Sequence, residues 1–296
     1  MTRILDADVA VPAQCQLGEG PVWDVDQGRL WWVDILAGHV HAVDPGTGAR
    51  TWFDAGDPVG AVGLTRSGRL VLALVDGFAV ADHDGQDLTR VPGFSIDRTA
   101  VRFNDGKPDP WGNFCAGTMA WDESGRPPGS LYRLGPDGTV TELFGDVGLS
   151  NGLDWTDDRR LFYYADSNSG RVDLFDTDPD TGALATRRPF VTVPEADGIP
   201  DGLTLDAEGC VWLAVWGSSE LRRYTPDGRL DTVVRLPARQ VTSAAFGGSD
   251  LGTLYITTAR TGLSPADRAG QPHAGDIFAC TPGVTGRPPF LFGNPR

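Results

Sequence analysis

An acidic or amide side chain followed directly by glycine recurs along this chain at regular intervals. "LGEGPVW" begins at Leu17, "FNDGKPD" at Phe103, "SNGLDW" at Ser150 and "IPDGLTLD" at Ile199. Taken alone, Asn-Gly or Asp-Gly signals a hairpin turn, because both residues accept positive φ. Here each dipeptide heads a longer unit. An apolar strand follows, then an Asp-rich turn, a second apolar strand, and a third ending in an acidic or Pro-Asp-Gly turn. Six such units start near residues 19, 60, 104, 151, 201 and 243. Their spacing of roughly 40–50 residues fits the four-stranded blades of a propeller.

The strand signals inside the units are short and rich in β-branched and aromatic residues: "RLWWVDI" (29–35), "RLVLALV" (69–75), "RLFYYAD" (160–166), "CVWLAVW" (210–216) and "TLYITTA" (253–259). No stretch carries a long apolar period of 3.6, so helix is expected only as a turn near "SPADRAG" (264–270). The expected fold is all-β, one six-bladed β-propeller domain spanning 1–296, with four-stranded blades around a central channel. A two-domain β-sandwich would not account for repeats that continue without a linker. The ends, "RILDADVAV" (3–11) and "PPFLFG" (288–293), both read as strands able to close the ring and cover its exposed edge.

Composition narrows the function. The 39 glycines and 22 prolines are spread between apolar strands, as turns require, and do not form a low-complexity tract. A formal net charge of −15 opposes binding to nucleic acid or to an anionic membrane surface. The N-terminal stretch lacks the apolar core of a signal peptide, and no run of about 18 apolar residues predicts a membrane span. Cys15, Cys115, Cys210 and Cys280 form no CxxC pair and are expected as reduced thiols in a cytoplasmic protein. The four histidines complete no zinc-binding set.

In a propeller the first strand of every blade lines the channel, so equivalent positions form a ring. Glu19, Asp105, Asn151 and Asp201 each precede a glycine at the start of a unit and are expected to converge at one mouth. Carboxylate and amide oxygens suit a hard divalent cation, which would also relieve the mutual repulsion of the carboxylates. In the third unit Arg102 and Asn104 flank Phe103 and share one strand face, where they could hydrogen-bond a polyhydroxylated ligand.

These motifs, with "RFNDGKPDPWGNFCAGTM" and "TSAAFGGSDLGTLYITTA", resemble in order the regucalcin (senescence marker protein), gluconolactonase and sugar-lactone lactonase family of six-bladed propellers. The resemblance covers nearly the whole chain. It implies one divalent cation (calcium, zinc, manganese, magnesium or ferrous iron) held by Glu19, Asn151 and Asp201. It also implies that Arg102 and Asn104 contact a small-molecule sugar lactone, with Asp105 a near neighbour of the site. One departure stands out: where mammalian regucalcins carry a substrate-touching glutamate, this chain has Trp121, followed by Asp122 and Glu123. Trp121 could stack on a sugar but cannot accept its hydroxyl protons.

The expected chemistry is hydrolysis of an aldonolactone to its aldonic acid. The cation would polarise the carbonyl, Asp201 would take a proton from the attacking water, and Arg102 would orient the lactone. No Gly-x-Ser-x-Gly elbow supports a serine nucleophile. The alternatives are a promiscuous metal-dependent esterase or organophosphate hydrolase, and a calcium-binding regulator without turnover.

Overall fold

The computed structural model describes residues 2–294. Strands dominate, with one short α-helix, Pro265–Gly270, capped by the Ser264 and Asp267 side chains where the sequence predicted a helical turn. Among the described residues no helix is long and apolar enough to cross a membrane.

Four antiparallel sheets contain four strands each, in chain order. The first is Gly18–Asp24, Arg29–Asp34, His39–Val43 and Arg50–Asp54. The second is Val59–Leu64, Leu70–Leu74, Phe78–Ala81 and Thr89–Arg90. The third is Val101–Pro108, Phe114–Ala120, Gly129–Leu134 and Val140–Val147. The fourth is Ser150–Trp155, Leu161–Asp166, Arg171–Thr177 and Leu184–Thr192.

The other strands make one nine-stranded sheet, whose two halves meet only where Trp216 pairs with Gln240. One half repeats the same meander as Ile199–Leu205, Val211–Trp216, Glu220–Tyr224 and Leu230–Arg235, with Arg3–Asp6 added in parallel at its outer edge. The other half is Gln240–Gly247, Thr253–Ala259 and Ile277–Cys280, completed by Asp8–Val11 from the chain's start.

The middle strands bury both faces, which is why their sequences run apolar without a polar alternation. Leu70, Leu72 and Leu74 pack on Trp31 and Val33 of the preceding sheet, whereas Val71 and Ala73 pack on Phe103 and Phe114 of the following one. Val211, Leu213 and Val215 face Tyr163, while Trp212 and Ala214 face Ile256 and Phe278. A further cluster joins the last unit to the first, packing Tyr255 and Ile277 against Trp23, Leu30 and Trp32, with Val11 between.

The first strand of each unit packs on the first strand of the next, and Gln240–Gly247 returns to Gly18–Asp24, so these inner strands form a closed ring. Each breaks register with its neighbour near its glycine, as at Glu19/Val22, Phe103/Gly106, Ser150/Leu153 and Pro200/Leu203. Such bulges bend a strand and re-aim its side chains. A Cβ on Gly152 would lie 2.3 Å from the Leu203 nitrogen, and one on Gly60 would lie 2.4 Å from the Asn104 carbonyl oxygen. The Asn-Gly and Asp-Gly pairs are therefore mid-strand bulges at points of close approach, not hairpin turns.

The two chain ends behave differently. Residues 3–11 supply strands to two units, as their sequence suggested. Residues 288–293 do not join a ladder beyond a single bridge from Phe292 to Thr65. Pro288 and Pro289 lack the N–H groups a ladder needs. Instead Arg287–Phe290 lies across a recess lined by the inner strands, closing that end of the channel. Arg287 donates to Asp154 Oδ1 and to the Trp155 carbonyl oxygen, and its guanidinium stacks 4.4 Å from the Phe290 ring centre.

Asp154 is 2% exposed and also takes Lys107 Nζ at 3.0 Å. Burial acts to raise its carboxyl, but Arg287 and Lys107 outweigh that effect and hold it below the usual range. Replacing Arg287 with Ala should leave this buried charge under-compensated and destabilise the protein by about 3 kcal/mol. Urea unfolding at pH 7 measures the loss, and a change below about 0.5 kcal/mol, the range of ordinary surface substitutions, would refute this role for the strap.

Candidate active site

Glu19, Asn151 and Asp201, contributed by three different units, line one pocket together with Arg102 and Asn104. The pocket measures about 470 Å³ with its open mouth included. All five side chains belong to residues at least nine-tenths buried. Asp105 occupies the equivalent position in the third unit, but it lines the recess on the strap side.

The three carboxylates share one local bond pattern: each accepts from the N–H of the glycine that follows it. Asp201 has further side-chain bonds with Asn151 and Glu19, yet these bonds do not offset the surroundings. Burial pushes the Glu19 carboxyl well up, and Asp201 and Asp105 add to the shift. Burial likewise raises Asp201, with Asp105 second. Asp105 is pushed up to about 6, chiefly by burial, although Lys107 pulls the other way. Without a cation, their surroundings therefore disfavour the charged forms of Glu19 and Asp201.

Among the described residues no cluster of three or more His, Cys, Asp or Glu side chains is arranged to hold a metal. The third oxygen facing the pocket is an amide. Asn151 Oδ1 is buried and has no hydrogen-bond partner, an arrangement rare in folded proteins. Two carboxylates that repel each other beside an orphaned amide oxygen form a donor set that fits a hard divalent cation.

The opposite wall carries the cationic group. Arg102 Nη1 donates to Asn104 Oδ1 at 2.7 Å and to the Phe103 carbonyl oxygen at 3.0 Å, and Asn104 Nδ2 donates to the Ser150 carbonyl oxygen at 2.9 Å. Burial lowers Arg102 to about 10, so it remains charged at neutral pH. Trp121 does not line the pocket; its ring stacks 5.6 Å from the Arg102 guanidinium carbon, and its Nε1 donates to the Arg98 carbonyl oxygen.

Comparison with known proteins matches residues 17–260 to the SMP-30/gluconolactonase/LRE-like region. The chain belongs to this family. Regucalcin of Oryctolagus cuniculus is 38% identical over 293 residues, covering 97% of this chain and 98% of the relative. Pentonolactonase XacC of Haloferax volcanii is 38% identical over 296 residues, covering 98% and 97%. Among solved structures, a calcium-binding regucalcin from Agrobacterium tumefaciens superposes with a TM-score of 0.91 at 28% identity, covering 99% of both chains. The four-stranded sheets thus form the β-propeller-like fold of the SMP-30/gluconolactonase family.

Glu123 and Ser167 are among the pocket residues that escaped the sequence reading. Glu123 lines the pocket two residues beyond Trp121 and acts electrostatically on Arg102. A left-handed backbone, φ 60°, and a bond from Asn168 Nδ2 to its carbonyl oxygen hold it there. The "WDES" string contains that acid, but the family resemblance pointed to Trp121, and position in the sequence does not foresee the left-handed residue. Ser167 also lines the pocket, and nothing in "YYADSNS" distinguishes it from an ordinary loop serine.

The raised carboxyls have a sign that can be tested. The folded state binds protons that the unfolded state has released, so this contribution is present below about pH 4 and is lost as pH rises through about 6 and beyond. In chelator the urea midpoint should fall between pH 5 and 8, and Asp201→Asn should flatten that slope. A slope identical in the variant would show that Glu19 and Asp201 do not interact.

Proposed function

We propose that this chain is a single six-bladed propeller domain that hydrolyses a sugar lactone to its aldonic acid with the help of one divalent cation. The ring of inner strands and the interlocking apolar clusters support the six blades. The lactonase among the relatives supports the substrate class. The observation that carries the chemistry is the buried, partnerless Asn151 Oδ1 in a pocket that Glu19 and Asp201 also line.

Glu19, Asn151 and Asp201 would hold the cation, and the calcium-binding relative favours calcium among the candidates. When bound, such a cation supplies Lewis acidity toward the lactone carbonyl and acidifies nearby water. The remaining steps belong to the side chains. Asp201 accepts a proton from the attacking water as the water oxygen bonds to the carbonyl carbon. The bond from that carbon to the ring oxygen then breaks, and the proton returns to the ring oxygen as the alcohol of the open acid. Arg102 orients the lactone and offsets negative charge as the tetrahedral intermediate forms. Asn104, fixed by Arg102 and Ser150, presents its amide to sugar hydroxyls, and Trp121 adds an apolar face beside Arg102. The reduced cysteines, unpaired among the described residues, suit a cytoplasmic setting.

A pH-stat panel of gluconolactone, xylonolactone, arabinolactone, an aryl ester and a phosphotriester, with and without chelator, tests the reading. Metal-dependent opening of a lactone supports it. Preference for the aryl ester or phosphotriester would make the chain a broader hydrolase, and calcium binding without turnover would make it a binder.

Two variants then divide the roles. Asp201→Asn should lower kcat by on the order of 10²–10⁴, with no recovery in excess metal. Arg102→Lys keeps the charge but loses the planar fork, so kcat/KM should fall for hydroxylated lactones and change little for the aryl ester. Equal losses on both substrates would remove the sugar-recognition role from Arg102.

A further inference from the structure

An amide can present either its oxygen or its nitrogen to a pocket, and only the first serves a cation. In Asn151 the nitrogen is engaged by two neighbours, the Asp201 carboxylate and a serine hydroxyl. Asn151 Nδ2 donates to Ser167 Oγ at 3.1 Å, and Ser167 Oγ in turn donates to the Pro200 carbonyl oxygen at 2.7 Å. The serine's single proton is committed to Pro200, so toward Asn151 it can only accept. If the amide were reversed, Oδ1 would face that acceptor, and either this contact or the Pro200 carbonyl would lose its donor. The relay therefore keeps Nδ2 on Ser167 and leaves Oδ1 without a partner.

The relay also spans two units. Asn151 belongs to the strand Ser150–Trp155, whereas Pro200 precedes Asp201 on the strand Ile199–Leu205. One hydroxyl thus ties the amide donor to the backbone of the carboxylate donor in the next unit.

The fold does not need this hydroxyl. Asp166 accepts from the Gly148 and Leu149 nitrogens, and the Ser167 nitrogen donates to the Leu149 carbonyl oxygen at 3.0 Å. The first unit repeats these bonds: Asp34 accepts from the Gln16 and Leu17 nitrogens, and the Ile35 nitrogen donates to the Leu17 carbonyl oxygen at 3.0 Å. Ile35 thus occupies the place of Ser167, is wholly buried, and packs in an apolar cluster. An apolar residue satisfies the repeat at this position, so the serine at its counterpart answers to the pocket.

We propose that Ser167 is the positioning residue that sets the donor face of Asn151 and couples it to Asp201. This rests on the reading of Glu19, Asn151 and Asp201 as a cation site. The test is calorimetric titration with calcium and with manganese. It compares the unaltered protein, Ser167→Ala, Ser167→Thr, Ser167→Cys, Asn151→Asp and the double variant Ser167→Ala/Asn151→Asp.

Ser167→Ala should weaken binding by about 10–100-fold, the usual effect of losing a residue that orients a metal ligand. Ser167→Thr keeps the hydroxyl and should bind like the unaltered protein. Ser167→Cys fills the space with a poorer donor and should weaken binding, which keeps the test decisive if the alanine variant fails to fold. In the Asn151→Asp background both side-chain ends are oxygen, so removing the hydroxyl should matter little. An equal loss in both backgrounds, or no loss in either, would overturn the role of Ser167 while leaving the cation site standing. No binding of either cation by the unaltered protein would instead overturn the cation site and this role with it.

Discussion

The close approach of neighbouring inner strands at glycine is the constraint on which the rest of this structure depends. Where Gly60, Gly152 and Gly202 sit, a methyl group would collide with backbone or side-chain atoms of the next unit. Closing a ring of strands at that distance forces each to give up regular pairing for a bulge. The bulge then aims the residue before the glycine toward the axis. Asn151 and Asp201 precede two of these glycines and reach a common pocket with Glu19, and no long loop is needed to carry them. Strand-borne donors are also held more rigidly than loop-borne ones, which matters when a site needs its oxygens in place before a ligand arrives.

The channel resolves its buried charges in two opposite ways. On the strap side, Asp154 is met by Lys107 and by Arg287, and its carboxyl is held ionised. On the open side, Glu19 and Asp201 face each other, and the cation nearest to them, Arg102, spends Nη1 on Asn104 and Phe103. Both carboxyls are accordingly pushed upward. Two uncompensated carboxylates so deeply buried would be a liability if they served only the fold. The same chain shows at Asp154 how it neutralises a buried charge when stability is the object. The contrast fits the proposed reading, in which one end of the channel is closed and the other receives a ligand that brings positive charge.

Much of this was legible in the sequence, for a physical reason. Repeats of one size, each with an apolar run such as "RLVLALV" or "CVWLAVW", can bury both strand faces only between flanking sheets, so the run itself announces layers on either side. Glu19, Asp105, Asn151 and Asp201 could be named because they hold the same place in their repeats, and the family resemblance set Asp105 apart from the other three. What could not be read were the features that break the repeat. The strap at 287–290 looked like a strand, since apolarity does not reveal that two prolines remove its donors. Asp105 shares the repeat position of Glu19 yet turns to the other recess, a difference that spacing does not encode. Ser167 takes its role from a carbonyl in another unit, so no local pattern could mark it.

The position after "GTMA" shows how such a departure can be absorbed. The resemblance put Trp121 in the place of an acid, yet Trp121 does not line the pocket. The chain turns instead through a left-handed Glu123, and that carboxylate enters the pocket two residues later. Trp121, displaced outward and 40% exposed, covers the Arg102 guanidinium. An aromatic ring over a guanidinium contributes about 0.5–1 kcal/mol at an exposed site, enough to bias the orientation of Arg102 without fixing it. Arg102 is thus bracketed by a ring on one side, Asn104 on another, and the charges of Glu123 and Glu19. Acidity and stacking, which one residue cannot both provide, are divided here between Glu123 and Trp121.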